Sequence, residues 1–391
     1  GSTVCAPTRC SIMNGVHTGH AYVRGNREVQ PEGQAPIPAN MITIPKLLKE
    51  AGYTTGMFGK WGLGAPGSSG DPVNQGWDEF FGYNCQRQAH TFYPKHLWHN
   101  DNKVMLDGKA YSHDLIQKQA LKFIRDNAKK PFFAYLPITI PHAAMQCPEE
   151  DVAPFRKKFP QFEDKIGKYS HGTQVRNPVA AFAGMMTRMD RGVGQVLDLL
   201  DELKIADNTL VLFTSDNGPH NEGGHQPGFF NSNGPLRGHK RDLYEGGIRV
   251  PLIAYWPGRV KAGSVSDHIC AHWDLMPTFC ELAKISTPKH TDGISYIPAL
   301  TGGKQKKHDY LYWEFHSYGN AQAIRMGDWK AIRLKVKNDP DAPIQLYNLK
   351  QDIGETKNIA ATHPNVVKRI TPLFQEAHTP SERFPLFAKK R

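Results

Sequence analysis

Hydrophobic and polar positions along this chain fall into two textures, with the change near residue 305. In the first, helix-like and strand-like segments alternate. Residues 44–52 predict a short helix, with Pro45 near its start and Gly52 after its end. Residues 53–58 follow as a strand. Residues 112–127 predict a helix with Ser112 as its N-cap and Leu115, Leu121 and Ile124 turned inward. The short apolar run at 132–136 has the character of a buried strand. A long amphipathic helix is expected over 178–203, buried strands over 209–214 and 251–256, and a helix over 272–283. Such alternation predicts an α/β fold: a mostly parallel sheet with helices on both faces.

Beyond residue 305 the segments 310–315, 321–326, 329–334 and 345–348 predict successive short strands with turns between them. A last helix is expected over 364–377. The chain therefore divides into an α/β part, residues 1–305, and a small antiparallel sheet with one helix, residues 306–391.

Charge narrows the range of partners. Lys and Arg number 48 against 37 Asp and Glu, a net charge of +11 over 391 residues. That excess favours anionic partners. The basic residues are dispersed, and the densest cluster, Lys304-Gln305-Lys306-Lys307-His308, has the character of a solvated loop. No zinc-finger spacing or RNA-binding signature points to nucleic acid. No stretch approaches the ~18–20 apolar residues of a membrane span. The cysteines at 5, 10, 85, 147, 270 and 280 are too sparse for a disulfide scaffold.

Two segments carry candidate chemistry. Ser215-Asp216-Asn217-Gly218 follows a predicted strand, where open parallel sheets place ligands. Asp216 and Asn217 offer neighbouring hard oxygen atoms suited to Ca²⁺ or Mg²⁺, although the same residues make an ordinary turn. Near the start, Cys5-Ala6-Pro7-Thr8-Arg9-Cys10 leads to Asn14-Gly15. Pro7 opens a helix that Gly15 closes, so Cys5 falls at a helix N-terminus, which favours anions. Arg9 adds positive charge one turn on. Cys5 is thus a candidate nucleophile or modification site, with a buried free thiol or a disulfide as the alternatives.

Cys5-Ala6-Pro7-Thr8-Arg9 with Gly15 resembles the signature of the type I sulfatases, whose Cys is oxidised to formylglycine. Other blocks follow in the family's order: Gly59-Lys60-Trp61-Gly62-Leu63-Gly64, Pro141-His142, Ser215-Asp216-Asn217-Gly218, Gly238-His239-Lys240 with Glu245-Gly246-Gly247, and Arg325-Met326-Gly327-Asp328-Trp329-Lys330 with Leu346-Tyr347-Asn348-Leu349. The match spans essentially the whole chain. It implies an alkaline-phosphatase-like fold and a sulfuric ester hydrolase acting on a sulfated sugar or glycosaminoglycan-type substrate. A hydrated formylglycine would attack sulfur at a divalent cation, Ca²⁺ or alternatively Mg²⁺. By position, Lys60 and Lys240 would clamp the sulfate, Arg9 would hold the formylglycine, and His142 would bind sulfate or protonate the leaving oxygen. The modified Cys5, Asp216 and Asn217 would be metal ligands.

The resemblance also implies a maturation partner, a formylglycine-generating or anaerobic sulfatase-maturating enzyme, and an exported protein: periplasmic, secreted or lysosomal. A phosphodiesterase or phosphonate hydrolase of the same superfamily, and an inactive member that binds sulfated glycan, fit the same blocks. Two departures stand out. The family supplies two more metal aspartates from a strand upstream of the Cys motif, and this sequence starts four residues before Cys5, so that strand is expected to be missing. The family's His in the Gly-Lys-Trp-His-Leu-Gly block is Gly62 here. His90, His17 and His20 are the candidates to stand in for it, with His90 placed among the substrate-binding residues.

Overall fold

The computed structural model describes residues 1–388. Its centre is a five-stranded sheet built from β1 (Thr54–Lys60), β2 (Glu79–Tyr83), β3 (His96–His99), β4 (Asn102–Met105) and β5 (Phe132–Tyr135), in the order β4-β3-β2-β1-β5. β1 runs parallel to both β2 and β5, with Lys60 opposite Tyr83 and Thr54 opposite Phe132. β3 and β4 add an antiparallel hairpin at the β2 edge. The sheet is thus mixed, with its parallel strands flanked by helices.

Strand alternation sends neighbouring residues to opposite faces, and the two cores show it. Met57 and Phe80 pack with Ala6, Cys10 and Met13 of α1 (Cys5–Asn14), Leu48 of α2 (Ile44–Glu50) and Met276. Phe58 and Phe81 pack with Ile116, Ala120 and Phe123 of α3 (Ser112–Asn127). α4 (Glu149–Lys158) packs against α5 (Pro178–Glu202), whose far end adds Leu199 and Leu200 to the second core.

Several expected elements shift in detail. Ser112 is the first helical residue rather than the cap, because Tyr111 holds the extended backbone of the N-cap position. The inward face of α3 is Ile116, Ala120, Phe123 and Ile124, with Leu115 and Leu121 only partly covered. A minor pair, β6 (Ile166–Gly167) and β7 (Val175–Arg176), has no counterpart in the sequence pattern. β8 (Val211–Thr214) and β9 (Leu252–Tyr255) pair antiparallel in a ribbon of their own. They are half-buried and largely exposed respectively, not buried as expected. β5 is likewise half-buried. Among the described residues β5 hydrogen-bonds only to β1, and β8 only to β9.

The C-terminal sheet runs in sequence order through β10 (Leu311–Phe315), β11 (Ala321–Met326), β12 (Trp329–Leu334) and β13 (Ile344–Asn348), antiparallel throughout. The expected single helix is two, Pro364–Ile370 and Leu373–Glu376, because Pro372 cannot continue the backbone ladder. One face of this sheet covers those helices through Ile324, Leu346 and Phe374. The other packs Trp313, Ala323 and Ile332 against Val4 and Trp273 of the first part. Lys330 reaches across to Glu245 at 2.7 Å, and Arg24 to Glu314 at 2.7 Å, both pairs buried.

Candidate active site

Four segments converge at the carboxyl ends of β1, β2, β5 and β8. α1 begins at Cys5 and ends at Gly15, whose φ of 69° closes the helix and returns its N–H to the Ser11 carbonyl. Thr8 Oγ1 donates to the Asp216 carbonyl at 2.8 Å, tying α1 to the loop after β8. The Arg9 guanidinium is buried and bridges two elements: one nitrogen donates to the Lys60 carbonyl and the other to Asp216 Oδ2 at 3.2 Å. Lys60, the last residue of β1, is 3% exposed and aims its Nζ at Cys5 Sγ, 3.4 Å away.

The second half of the site lies on the loops after β2, β5 and β8. Lys240 Nζ sits 3.0 Å from His142 Nε2 and 2.9 Å from Glu222 Oε2. Arg241 holds the other oxygen of Glu222. The His90 ring stacks on His142 with centroids 5.2 Å apart, and Tyr169 stands edge-on to both. Arg9, Lys60, Lys240 and Arg241 thus face two carboxylates, Asp216 and Glu222, so the centre carries the positive excess that a bound anion requires.

Burial and neighbouring charge set the protonation states. Burial holds the Lys60 ammonium below its ordinary value, helped by Arg9 and Lys240 and opposed by Cys5 and Asp216. Burial acts the same way on Lys240, but Cys5 and Glu222 outweigh it and raise that group. His142 lies well below the usual histidine range through burial, then Lys240 and Lys60. His90 is lowered to about 4 by the same causes. Both rings are therefore neutral at neutral pH. The hydrogen bonds assign the His142 tautomer: Nδ1 donates to the Ala143 carbonyl at 2.9 Å, so Nε2 accepts from Lys240. His142 Nε2 thus accepts a hydrogen bond in this structure, where the sequence leads one to expect a residue that binds sulfate or protonates the leaving oxygen.

Asp216 is held below the ordinary carboxylate range; burial opposes this, but Arg9, Lys60 and Lys240 prevail. Asn217 Oδ1 is buried without a hydrogen-bond partner among the described residues. These two hard oxygens suit a divalent cation, whose Ca²⁺ form takes about 6–8. Asp216 belongs to no described cluster of three His, Cys, Asp or Glu side chains close enough to share an ion. The described residues therefore supply part of such a shell and do not complete it.

His17 and His20 do form such a cluster, with Asp292. Their contacts lie elsewhere: His17 packs against Trp273 and Tyr312, and His20 stacks on His17. His17 Nδ1 accepts from the Gly19 N–H, which puts its proton on Nε2 facing Asp292 and leaves that nitrogen no lone pair for a metal. Of the three candidate histidines, His90 alone contacts the site residues above. A cleft of about 620 Å³ lined by His20, Met41, His290 and Arg383 contains none of them.

Glu222 and Tyr169 were not foreseen. Both lie in loops with no residue pattern of their own, and only folding brings them to Lys240 and His142.

A cysteine at a helix N-terminus, two buried lysines, a neutral histidine pair and a carboxylate–carboxamide step after a strand define a hydrolase centre for a tetrahedral anionic ester. Residues 1–285 match the Sulfatase family, and residues 238–378 match the N-sulphoglucosamine sulphohydrolase C-terminal family. The chain belongs to the sulfatase family and is a sulfuric ester hydrolase. It is 30% identical to the N-acetylgalactosamine-6-sulfatase of Canis lupus familiaris, covering 98% of this chain and 72% of that protein. It is 25% identical to the N-acetylgalactosamine-6-O-sulfatase of Bacteroides thetaiotaomicron, covering 97% and 84%. The crystal structure of Ps i-CgsB in complex with k-i-k-neocarrahexaose superposes with a TM-score of 0.80 and 29% identity, over 96% of this chain and 82% of that one.

Proposed function

We propose that this protein removes sulfate from a sulfated carbohydrate of galactose or glycosaminoglycan type, using a formylglycine made from Cys5. The observation that carries this reading is the Cys5–Lys60 contact of 3.4 Å at the N-terminus of α1, in a centre with excess positive charge. Support for the substrate class comes from the similarity to two N-acetylgalactosamine-6-sulfatases and to Ps i-CgsB, whose crystal holds a neocarrahexaose.

The modified Cys5 supplies, as its hydrate, the hydroxyl that attacks sulfur. Lys60 stands beside that nucleophile, and Arg9 fixes it against the β1 terminus. Lys240 faces the other side of the sulfate, its proton held between His142 and Glu222. Because His142 Nε2 accepts from Lys240, the leaving oxygen takes its proton from the Lys240–His142 pair, with Lys240 as immediate donor. His90 backs His142 by stacking. Asp216 and Asn217 would hold the Ca²⁺ or Mg²⁺ ion, whose chemistry is to polarise the sulfate.

The same reading takes residues 1–305 as the catalytic part and 306–391 as a subdomain buttressing it, as the Lys330–Glu245 pair suggests. It also takes the protein as exported and dependent on a formylglycine-generating or anaerobic maturating enzyme. None of the described helices is long and apolar enough to cross a membrane. The test joins two measurements. Peptide mass spectrometry of active protein should show an aldehyde at Cys5, and an aryl sulfate should turn over faster than an aryl phosphodiester. Active protein with only thiol or disulfide at Cys5 would defeat the nucleophile, and the reverse substrate preference would favour a phosphodiesterase.

A further inference from the structure

Gly62 adopts φ +81°, a region that side-chain-bearing residues rarely enter. A Cβ built there would stand 2.5 Å from Gln86 Nε2 and 2.6 Å from Gln86 Cγ. Backbone and neighbour together therefore exclude a side chain at 62, and Gln86 fills the space. Gln86 is 4% exposed, and its Nε2 has no hydrogen-bond partner among the described residues.

Gln86 does not stand alone. Asn84 is fully buried, and neither its Oδ1 nor its Nδ2 has a partner among the described residues. Gln34 is also buried, and both of its side-chain polar atoms are unpartnered in the same sense. All three flank one stretch of chain: Gly62 N–H donates to the Asn84 carbonyl at 3.2 Å, and Gln34 N–H to the Gly64 carbonyl at 2.8 Å. That stretch begins two residues after Lys60, whose Nζ lies against Cys5. Buried carboxamides normally find partners. Three with polar atoms unpartnered among the described residues, on segments that contact the stretch following β1, are groups open to a ligand.

We infer that Gln86, lying over Gly62, is an oxygen-binding residue of the reaction centre: its amide N–H donates to a sulfate or nucleophile oxygen. The inference rests on the sulfate-ester reading above and adds to it the residue that takes the place left by Gly62. An amide carries no titrating proton in the working range, so its contribution is the same at every pH. It orients and neutralises charge, and proton transfer is left to Lys240 and His142. The amide of nearby Asn84 likewise has no partner among the described residues.

The test uses Gln86→Met, which keeps length and bulk and removes both polar atoms. A purely structural amide and a ligand-binding one then behave in opposite ways. A ligand-binding amide is buried against stability, so Tm should hold or rise, while kcat on a sulfate ester falls by about tenfold or more with KM within about threefold. Calorimetric titration of inorganic sulfate into the unmodified protein separates the two oxygens. Weaker binding in Gln86→Met assigns the contact to a sulfate oxygen; equal binding with reduced kcat assigns it to the nucleophile. An unchanged kcat would overturn the inference, and so would a Tm that falls with the activity. If the wild type turned over no sulfate ester, the proposed function would fail by itself. The Tm comparison and sulfate titration would still decide whether Gln86 is a ligand-binding amide, since a lowered Tm or unaltered sulfate binding would then reject it.

Discussion

Replacing Glu222 by Gln removes one negative charge and almost no volume. Its oxygens lie 2.9 Å from Lys240 Nζ and against the Arg241 guanidinium. At an effective dielectric of about 20, two unit charges 2.9 Å apart attract by roughly 6 kcal/mol, an upper bound for a pair on the wall of a solvent-reached site. Loss of an opposite charge at such range lowers a lysine by about 1–3 pH units. Lys240 is raised in the folded protein, so its stabilisation is present below its ordinary value near 10.5 and fades only as pH climbs past that. Without Glu222 the group loses one of its two main supports and should fall below 10.5, the other being Cys5. The assay is kcat/KM on a sugar sulfate across pH. The alkaline limb should move acidward by about 1–3 units, with activity near neutrality largely kept. Glu222 itself is depressed, so its stabilisation is present above about 4.5 and is lost as pH falls through the folded value. Glu222→Gln should therefore show a flatter loss of Tm below that pH. An alkaline limb that moves by less than about half a unit would refute the claim that Glu222 holds the Lys240 proton.

Other consequences are read more directly. Lys60→Met should lower kcat by about 10²–10³ while Tm holds or rises, because among the described residues the buried ammonium contacts Cys5 Sγ and no carboxylate within hydrogen-bond reach; a matching loss of Tm would show a structural lysine instead. His142→Ala and Lys240→Ala should both show deficits that grow with leaving-group pKa across aryl and sugar sulfates, and equal deficits on all esters would reject the shared proton. Glu314→Gln should cost about 3–5 kcal/mol in urea unfolding, since the fully buried carboxylate answers Arg24, His316 and His378. Burial opposes its charge, but His316, His378 and Arg24 hold it far below the ordinary range, so that stability should be present above pH 4.5 and fade below it.

What the sequence revealed depended on whether the signal was local. Gly15 closes α1 and Pro7 fits within its first turn because their backbone preferences act at their own positions, although the helix begins two residues before Pro7, at Cys5 itself. Asp216 and Asn217 could be placed beyond a strand end because a short apolar run precedes them. The β3–β4 hairpin escaped notice, since His96–His99 and Asn102–Met105 lack a clean alternation and pair at an edge. The apolar spacing over 364–377 reads as one helix, whereas Pro372 divides it in two. Ser112 was misread because a cap is defined by the backbone of the residue that holds it, and Tyr111 holds that conformation. Glu222 and Gln86 could not be found by pattern. Each matters only through a residue far away in sequence or packed against it by the loop path, Lys240 for the one and Gly62 for the other.

The two lysines proposed to clamp the sulfate are not equivalent, and the difference lies in what surrounds them. Lys60 has a thiol, a nearby guanidinium and, among the described residues, no paired carboxylate, and its charge is disfavoured. Lys240 has Glu222 and a neutral histidine, and its charge is favoured. A charge that is poorly satisfied in the free protein gains most when a dianion arrives, so Lys60 is matched to binding sulfate beside the nucleophile. A charge already balanced gains less from the anion but stays protonated across the working range, so in the proposed mechanism Lys240 still carries the proton that the departing ester oxygen needs. Such a division explains why the site brings a carboxylate to one lysine and withholds it from the other. Placing Glu222 beside Lys60 instead would weaken the very interaction that draws the sulfate in.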